Sequence, residues 1–311
     1  MVELSIILVN FNTAAQTINC IDSIIKQTKK INHEIIVVDN ASSDNSFDLI
    51  TTKFQQIIWI QNKTNEGFGR ANNVGIQKSR GRYILLLNSD TIIFDKAIEK
   101  ALGKYKNEKS NVGLTTCHLV NLDGTSQKSV FFYNASFREI LNNNLLFDFF
   151  IRKIKSSREK EIKALHGAFL LFEKSRLESV GYFDPDFFLY AEEFEWCYRI
   201  RKSGLALKYY DDIKVLHLEE GSSISKEWNT KQRYLSGSLL FKKTHGTLGL
   251  FLYLALHFVN LVTNALLMWK LDSAYRSDFI RSQKYYWGLS GKFLTIAFNT
   301  FKKPLKLTHI K

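Results

Sequence analysis

The sequence predicts an α/β fold: a doubly wound, mostly parallel sheet followed by a helical, amphipathic C-terminal extension. Three observations predict it. In the first hundred residues, apolar runs alternate with segments of helical spacing, the order that builds parallel sheets through crossover helices. The runs are continuously apolar rather than alternating, as strands covered on both faces require. Four of them end on Asn10, Asp39, Asn62 and Asp90, at the strand ends where open α/β sheets collect ligands.

The elements follow in order. "LSIILVN" (4–10) is the first strand, and Ile18, Ile21, Ile24 and Ile25 give residues 14–28 helical spacing. "EIIVVDN" (34–40) is a second strand, and "ASSDNSFDLI" is a turn into a helix that Ser43 or Asp44 would cap. "IIWIQN" (57–62), a helix over 69–79 and "YILLLNSD" (83–90) complete the repeating part, and 96–107 is a further helix. "VGLTTCHLV" (112–120) reads as a strand and "NLDGTSQ" as a hairpin-like turn. The polar, aromatic, basic stretch up to Lys163 reads as a mobile excursion over the active face. "LHGAFLLF" (165–172) reads as one buried strand, 181–204 as a loop running into a helix, and 205–218 as strand-like.

After Gly221 the character changes, which divides the chain into 1–223 and 224–311. Residues 228–243 look helical and basic, and 247–269 is apolar and long enough to span a bilayer. Within it, however, Gly246, Gly249, Tyr253, His257, Asn260 and Asn264 recur every three or four residues. A narrow polar stripe on a broad apolar face predicts an interfacial helix or helical hairpin. A buried helix, a dimer-forming helix and a true span are the alternatives.

Composition bounds the function. The net charge is +13, and from Lys270 onward nine Lys/Arg face only Asp272 and Asp278. A basic tail beside an apolar segment points to an anionic membrane surface. It does not point to nucleic acid, because the aromatic residues are not interleaved with basic ones as a stacking platform needs. Three scattered cysteines, without a CxxC pair, suit a reducing cytosol. The N-terminus has Glu3 and no basic segment, so it reads as a strand and not as a signal peptide.

The motifs carry the chemistry. "VVDNASSDNS" sets Asp39 at a strand end before a small polar turn. "NEGFGRANNVGI" is a loop feeding a helix, in which Gly67 and Gly69 allow close backbone approach and Arg70 favours an anion. It is neither a P-loop nor a GxGxxG after the first strand, so neither of those nucleotide sites applies. In "NSD", Asp90 is a hard oxygen ligand suited to Mg²⁺ or Mn²⁺ on phosphates. "YAEEFEWCYR" puts Glu192, Glu193 and Glu195 in the first turns of a helix. Glu195 and Arg199 make an i,i+4 ion pair. Glu193 shares its side of the helix with Cys197 and Ile200, surroundings that raise a carboxyl pKa and suit a general base.

Taken in order, Asp39, "NEGFGRANN", "NSD", "HGAFLLF", "GYFDPDFFLYAEEFEWCYRIRKSG" and "VLHLEEGSS" resemble family 2 glycosyltransferases of the GT-A fold. The nearest type is the bacterial rhamnosyltransferase-like branch that builds surface polysaccharides such as O-antigen and capsule. The resemblance runs from about residue 3 to 223. It implies that Asp39 holds the base or ribose of a UDP-, dTDP- or GDP-linked sugar, helped by Asn10. Gly67, Arg70, Asn72, Asn88 and Ser89 would line the donor. Asp90 and His217 would hold the divalent metal, Mg²⁺ or Mn²⁺. Glu193, or its neighbour Glu192, would be the general base, and Gly167 and Ala168 would line the acceptor side.

Two positions differ from the family pattern. Asn88 stands where the first Asp of Asp-x-Asp is usual, and Glu193 stands where Glu-Asp carries its Asp. The expected enzyme is an inverting, metal-dependent transferase, peripheral on the cytoplasmic face of the membrane, with a lipid-linked or glycan acceptor. Its C-terminal helices would meet the membrane or pair in a homo-oligomer. The rival expectation is a non-catalytic nucleotide- or glycan-binding protein on the same fold.

Overall fold

The computed structural model describes residues 2–108, 111–132, 161–218 and 226–266. Most of the excursion, 133–160, and the basic tail from Lys270 lie outside the described residues. The described chain falls into two compact units. One comprises the residues through Phe132, Ile162–Phe188 and the segment from Glu192 through β10; the other holds Leu189–Ala191 and the C-terminal helices.

The first unit is built on an eight-stranded sheet in the order β3-β2-β1-β4-β9-β6-β10-β5. Strands β1 (Leu4–Asn10), β2 (His33–Asp39), β3 (Ile58–Gln61) and β4 (Tyr83–Asn88) are parallel neighbours. Helices α1 (Ala14–Gln27), α2 (Ser46–Lys53) and α3 (Phe68–Lys78) make the crossovers. Successive strand residues feed opposite faces. Leu4, Ile6 and Leu8 pack with Cys20, Ile21 and Ile24 of α1 and with Ala101 and Leu102 of α4 (Ala97–Asn107). Ile7, Ile36 and Val38 pack on the other face with Ala71 and Ile76 of α3. The strand order reverses between β1 and β4, which is where a doubly wound sheet opens a ligand crevice.

Beyond β4 lie β5 (Thr91–Ile92), β6 (Val112–Val120), β7 (Val130–Phe131), β8 (Ala164–Leu165) and β9 (Phe169–Glu173). The short α5 (Lys174–Leu177), then α6 (Glu192–Lys202) and β10 (Ala206–His217), follow. β9 is antiparallel to both neighbours, β4 and β6.

Several expectations need correction. "LHGAFLLF" is not one strand: it breaks at His166–Ala168, where β8 pairs with β7 and β9 joins the main sheet. The fourth strand stops at Asn88, so Ser89 and Asp90 form a turn. Helix α2 has Asn45 at its N-cap position without a side-chain cap. Asp44 instead accepts from the Ser46 N–H at 3.1 Å.

The second unit's helix α7 (Lys226–Leu266) is interrupted at Gly246, whose φ of 71° and ψ of −166° are not helical. Its halves fold against one another, so a helical hairpin forms. Tyr253 packs on Phe241 at 4.6 Å and on His257 at 4.4 Å, and His257 meets Tyr234 edge-on at 4.9 Å. The middle of the polar stripe therefore faces inward: Tyr253 and Asn260 are buried, and burial pushes His257 down to about 4. Leu248 and Phe251 are 70% and 65% exposed. Of the two arrangements the stripe predicted, an interfacial helix or a helical hairpin, the described residues form the hairpin. Among the described residues, no helix is long and apolar enough to cross a membrane.

Candidate active site

The carboxyl ends of β1 and β2 carry Asn10 and Asp39, paired in register. Asp39 is 1% exposed, and its carboxylate already accepts four hydrogen bonds. Oδ1 takes Asn10 Nδ2 at 2.7 Å and Ser42 Oγ at 2.6 Å; Oδ2 takes the Ser42 N–H at 2.9 Å and Gln61 Nε2 at 2.6 Å. Asn10 Oδ1 accepts from Thr17 at 2.7 Å and from Thr13 at 3.1 Å, and Thr13 lies 3.4 Å from Ser89 Oγ. One polar network thus joins the end of β1 to the turn after β4.

Asn40 extends this network to the glycine loop. Its Oδ1 accepts from Asn62 and from the Glu66 N–H, and its Nδ2 donates to Asn65 Oδ1 and the Gly67 carbonyl. Gly67 has φ 86° and ψ 173°, and a Cβ placed there would lie 2.1 Å from the Phe188 carbonyl oxygen. The close approach expected for a ligand is made by the protein's own 181–188 segment. Arg70 is committed likewise: Nε donates to the Pro185 carbonyl at 2.6 Å, and Nη1 pairs with Glu66. Asn72 is buried and donates to the Phe68 carbonyl.

At the mouth of β4 the groups are differently disposed. His217 Nε2 lies 3.4 Å from Asp90 Oδ1 and 3.3 Å from Asn88 Nδ2, with both Asp90 and His217 buried. Asn88 Oδ1 is buried without a partner. Pairing of β10 with β5 brings His217 opposite Thr91, which fixes the histidine beside the turn. An orphaned amide oxygen next to a carboxylate and an imidazole nitrogen is a donor set that fits a hard or borderline divalent cation. Among the described residues, no three His, Cys, Asp or Glu side chains cluster as a complete ligand set.

Gly167 and Ala168, expected on the acceptor side, adjoin this corner. The Asn88 N–H donates to the Ala168 carbonyl at 3.0 Å, and a Cβ on Gly167 would meet the Phe68 ring at 3.7 Å. His166 was overlooked although it stands inside the "HGAFLLF" motif. Its Nδ1 accepts the Ala168 N–H at 3.2 Å, Phe131 stacks on it, and His217 meets it edge-on at 5.4 Å. Burial, with His217 alongside, pushes it down to about 4, so the ring is neutral at pH 7.

Helix α6 presents the carboxylates. The burial expected of Glu193 is found at Glu192, which is 3% exposed, has Oε2 without a partner, and lies against Gly69. Burial and the adjacent Glu193 raise the Glu192 pKa well above the usual carboxyl range. Glu193 is half-buried. Glu195 is structural: Arg199 grips it at 2.7 and 3.0 Å and donates to the Val180, Gly181 and Tyr182 carbonyls. Burial pushes Cys20 and Cys197 up to about 12 and Cys117 higher still, so none of the cysteines is a thiolate nucleophile at neutral pH.

A doubly wound 3-2-1-4 sheet with an antiparallel strand beside β4, and polar groups gathered at its switch point, defines a GT-A glycosyltransferase. The comparisons agree. The chain belongs to glycosyl transferase family 2, whose model matches residues 5–181. It is 25% identical over 258 residues to the low-salt glycan biosynthesis hexosyltransferase Agl10 of Haloferax volcanii, covering 78% of each chain. It is 29% identical over 167 residues to a poly(ribitol-phosphate) beta-glucosyltransferase of Bacillus spizizenii, covering 52% of this chain and 26% of that one. Among solved structures it resembles the mannosyltransferase PcManGT of Pyrobaculum calidifontis, in complex with GDP-Man and Mn²⁺. The TM-score is 0.58 at 16% identity, over 94% of this chain and 87% of that one.

Proposed function

We propose that this glycosyltransferase is inverting and metal-dependent. It moves a hexosyl or rhamnosyl group from a UDP-, dTDP- or GDP-linked donor to a lipid-linked or glycan acceptor in surface-polymer synthesis. One observation carries the reading: Asp90, His217 and the unpartnered Asn88 Oδ1 converge where β4 opens. The GDP-Man and Mn²⁺ complex of PcManGT supports a nucleotide-sugar donor with a divalent ion. The glycan-biosynthesis and poly(ribitol-phosphate) relatives support a polymeric surface acceptor.

Each residue then has a task. Asp90 and His217 would hold the ion, with Asn88 Oδ1 beside them as a further oxygen donor. When bound, that ion offsets the charge that grows on the departing diphosphate. Asn10, Asp39 and Ser89 order the donor end, and Gly167 and Ala168 border the acceptor. Burial and Glu193 raise the pKa of Glu192, and the half-buried Glu193 is the carboxylate placed to take the proton from the acceptor hydroxyl. Gly67 and Arg70 act by holding the 181–188 segment against α3, while Asn72 ties the first turn of that helix to itself. Residues 1–223 carry the chemistry, and 224–311 meet the cytoplasmic face of an anionic membrane through the outward apolar side of α7.

Sugar transfer from a donor panel with Mn²⁺ or Mg²⁺, repeated with Asp90→Ala and Glu193→Ala, tests the assignment. Loss of at least about 100-fold in each variant is expected, the usual scale for removing a base or a charge-stabilising group. Undiminished transfer in both would sink it.

A further inference from the structure

Gln127 closes the turn after β6, and its amide makes three contacts. Nε2 donates to the His217 carbonyl oxygen at 2.7 Å and to Asn121 Oδ1, while Oε1 lies 2.8 Å from His217 Nδ1. The orientation is determined by chemistry. A backbone carbonyl only accepts, so the NH₂ end must face it. The end facing Nδ1 is then an oxygen, also only an acceptor, so Nδ1 must carry the proton. In the neutral ring this leaves Nε2 with its lone pair, which faces the Asn88 Nδ2 donor at 3.3 Å and lies 3.4 Å from Asp90 Oδ1.

We infer that Gln127 is a positioning residue that keeps the Asp90–His217 pair open to a divalent cation by fixing the histidine tautomer. In the other tautomer the Nε2–H would donate to Asp90, and the pair would close on itself with no lone pair left for a metal. Gln127 grips ring and main chain of the same residue, so it sets both the tautomer and the ring's orientation. Such an outer partner also increases the basicity of a metal-binding imidazole.

The turn is built to hold the clamp. The Gln127 N–H donates to the Leu119 carbonyl at 2.8 Å, the Asn121 N–H donates to the Thr125 carbonyl at 2.8 Å, and Asp123 accepts from the Thr125 N–H at 2.9 Å.

This inference rests on the metal reading above, so its test has an arm that needs no metal. In the full chain, ¹⁵N–¹H correlation spectra of the metal-free protein report the His217 tautomer. Electron paramagnetic resonance titration with Mn²⁺, in saturating UDP and separately GDP, reports affinity. Wild type is expected to show Nδ1–H alone. Gln127→Leu is expected to shift toward Nε2–H and to bind Mn²⁺ about 10–100-fold more weakly. Gln127→Glu, as the neutral acid, keeps an acceptor at Nδ1 and an O–H for the His217 carbonyl, and is expected to keep the tautomer, with affinity within about threefold.

A folded Gln127→Leu with unchanged tautomer and affinity overturns the inference. So does a folded Gln127→Glu that loses the tautomer, and this variant decides alone if the leucine variant does not fold. A wild type that binds no Mn²⁺ with either diphosphate overturns the metal reading and the inference with it. The wild-type tautomer distinguishes that failure from one in the Gln127 argument.

Discussion

Replacing Gly67 by alanine separates two roles for the glycine loop, contact with a ligand and docking of the 181–188 segment. At φ 86° and ψ 173° the backbone lies in a region used almost only by glycine, so any side chain there costs about 1–3 kcal/mol. The new Cβ would stand 2.1 Å from the Phe188 oxygen, and the Phe68 N–H donates to that same oxygen at 2.9 Å. Moving a main-chain carbonyl adds an overpacking cost of about 1–3 kcal/mol. Together the loss is about 2–6 kcal/mol, a large part of the ~5–15 kcal/mol that holds a domain together. Gly167→Ala is the control: its Cβ meets the Phe68 ring at an ordinary 3.7 Å without a positive φ, so a change within about 0.5 kcal/mol is expected. Urea unfolding followed by tryptophan fluorescence measures both. A Gly67→Ala protein as stable as the Gly167→Ala control would refute the docking argument.

Glu192 has a raised folded pKa, so the stability it lends is fully present below the unfolded value of 4.5. It is lost as pH rises through the folded value. Glu192→Gln, always neutral, is expected to flatten the decline of Tm between pH 5 and 8; an unchanged slope would remove Glu192 as its source. Asn88→Asp adds a second carboxylate beside Asp90. The metal-free protein should melt lower and Mn²⁺ should bind tighter, and a thermal shift with chelator and then with Mn²⁺ reads both; a variant that melts like wild type in both conditions contradicts the site. Leu248→Ser with Phe251→Ser removes about 3 kcal/mol or more of apolar burial at a lipid surface, on the order of 100-fold in partitioning. Vesicle flotation checks it, and equal flotation would detach α7 from the membrane.

Much of the sheet was legible because its strands are buried on both faces, so β1, β2, β4 and β6 stand out as uninterrupted apolar runs. The break at His166–Ala168 was hidden for the same reason: an apolar run shows burial without showing which partner each half pairs with. Helical spacing located the stripe on α7, but only the return of the chain at Gly246 decides that it faces inward. The phase of α6 depends on where the helix starts, and Glu192, not Glu193, became the buried carboxyl. The place of Asp39 at a strand end was legible from the apolar run before it. Asp90 falls in the turn just past β4, and His217 came in only through the family resemblance. Gln127 could not, because it meets His217 across 90 positions of sequence.

Asp39 enters every encounter with its lone pairs already engaged. On the proposed reading, a base that reaches this carboxylate must evict a resident donor, and the most exposed of them is the Gln61 amide, which Trp59 and the Asn62 carbonyl also hold. Recognition at that end is an exchange of one hydrogen bond for another, which leaves little net free energy. On the proposed reading, the nucleobase end would select among donors while the diphosphate end retains them. A free nucleoside should be a poor inhibitor even when its base is the right one.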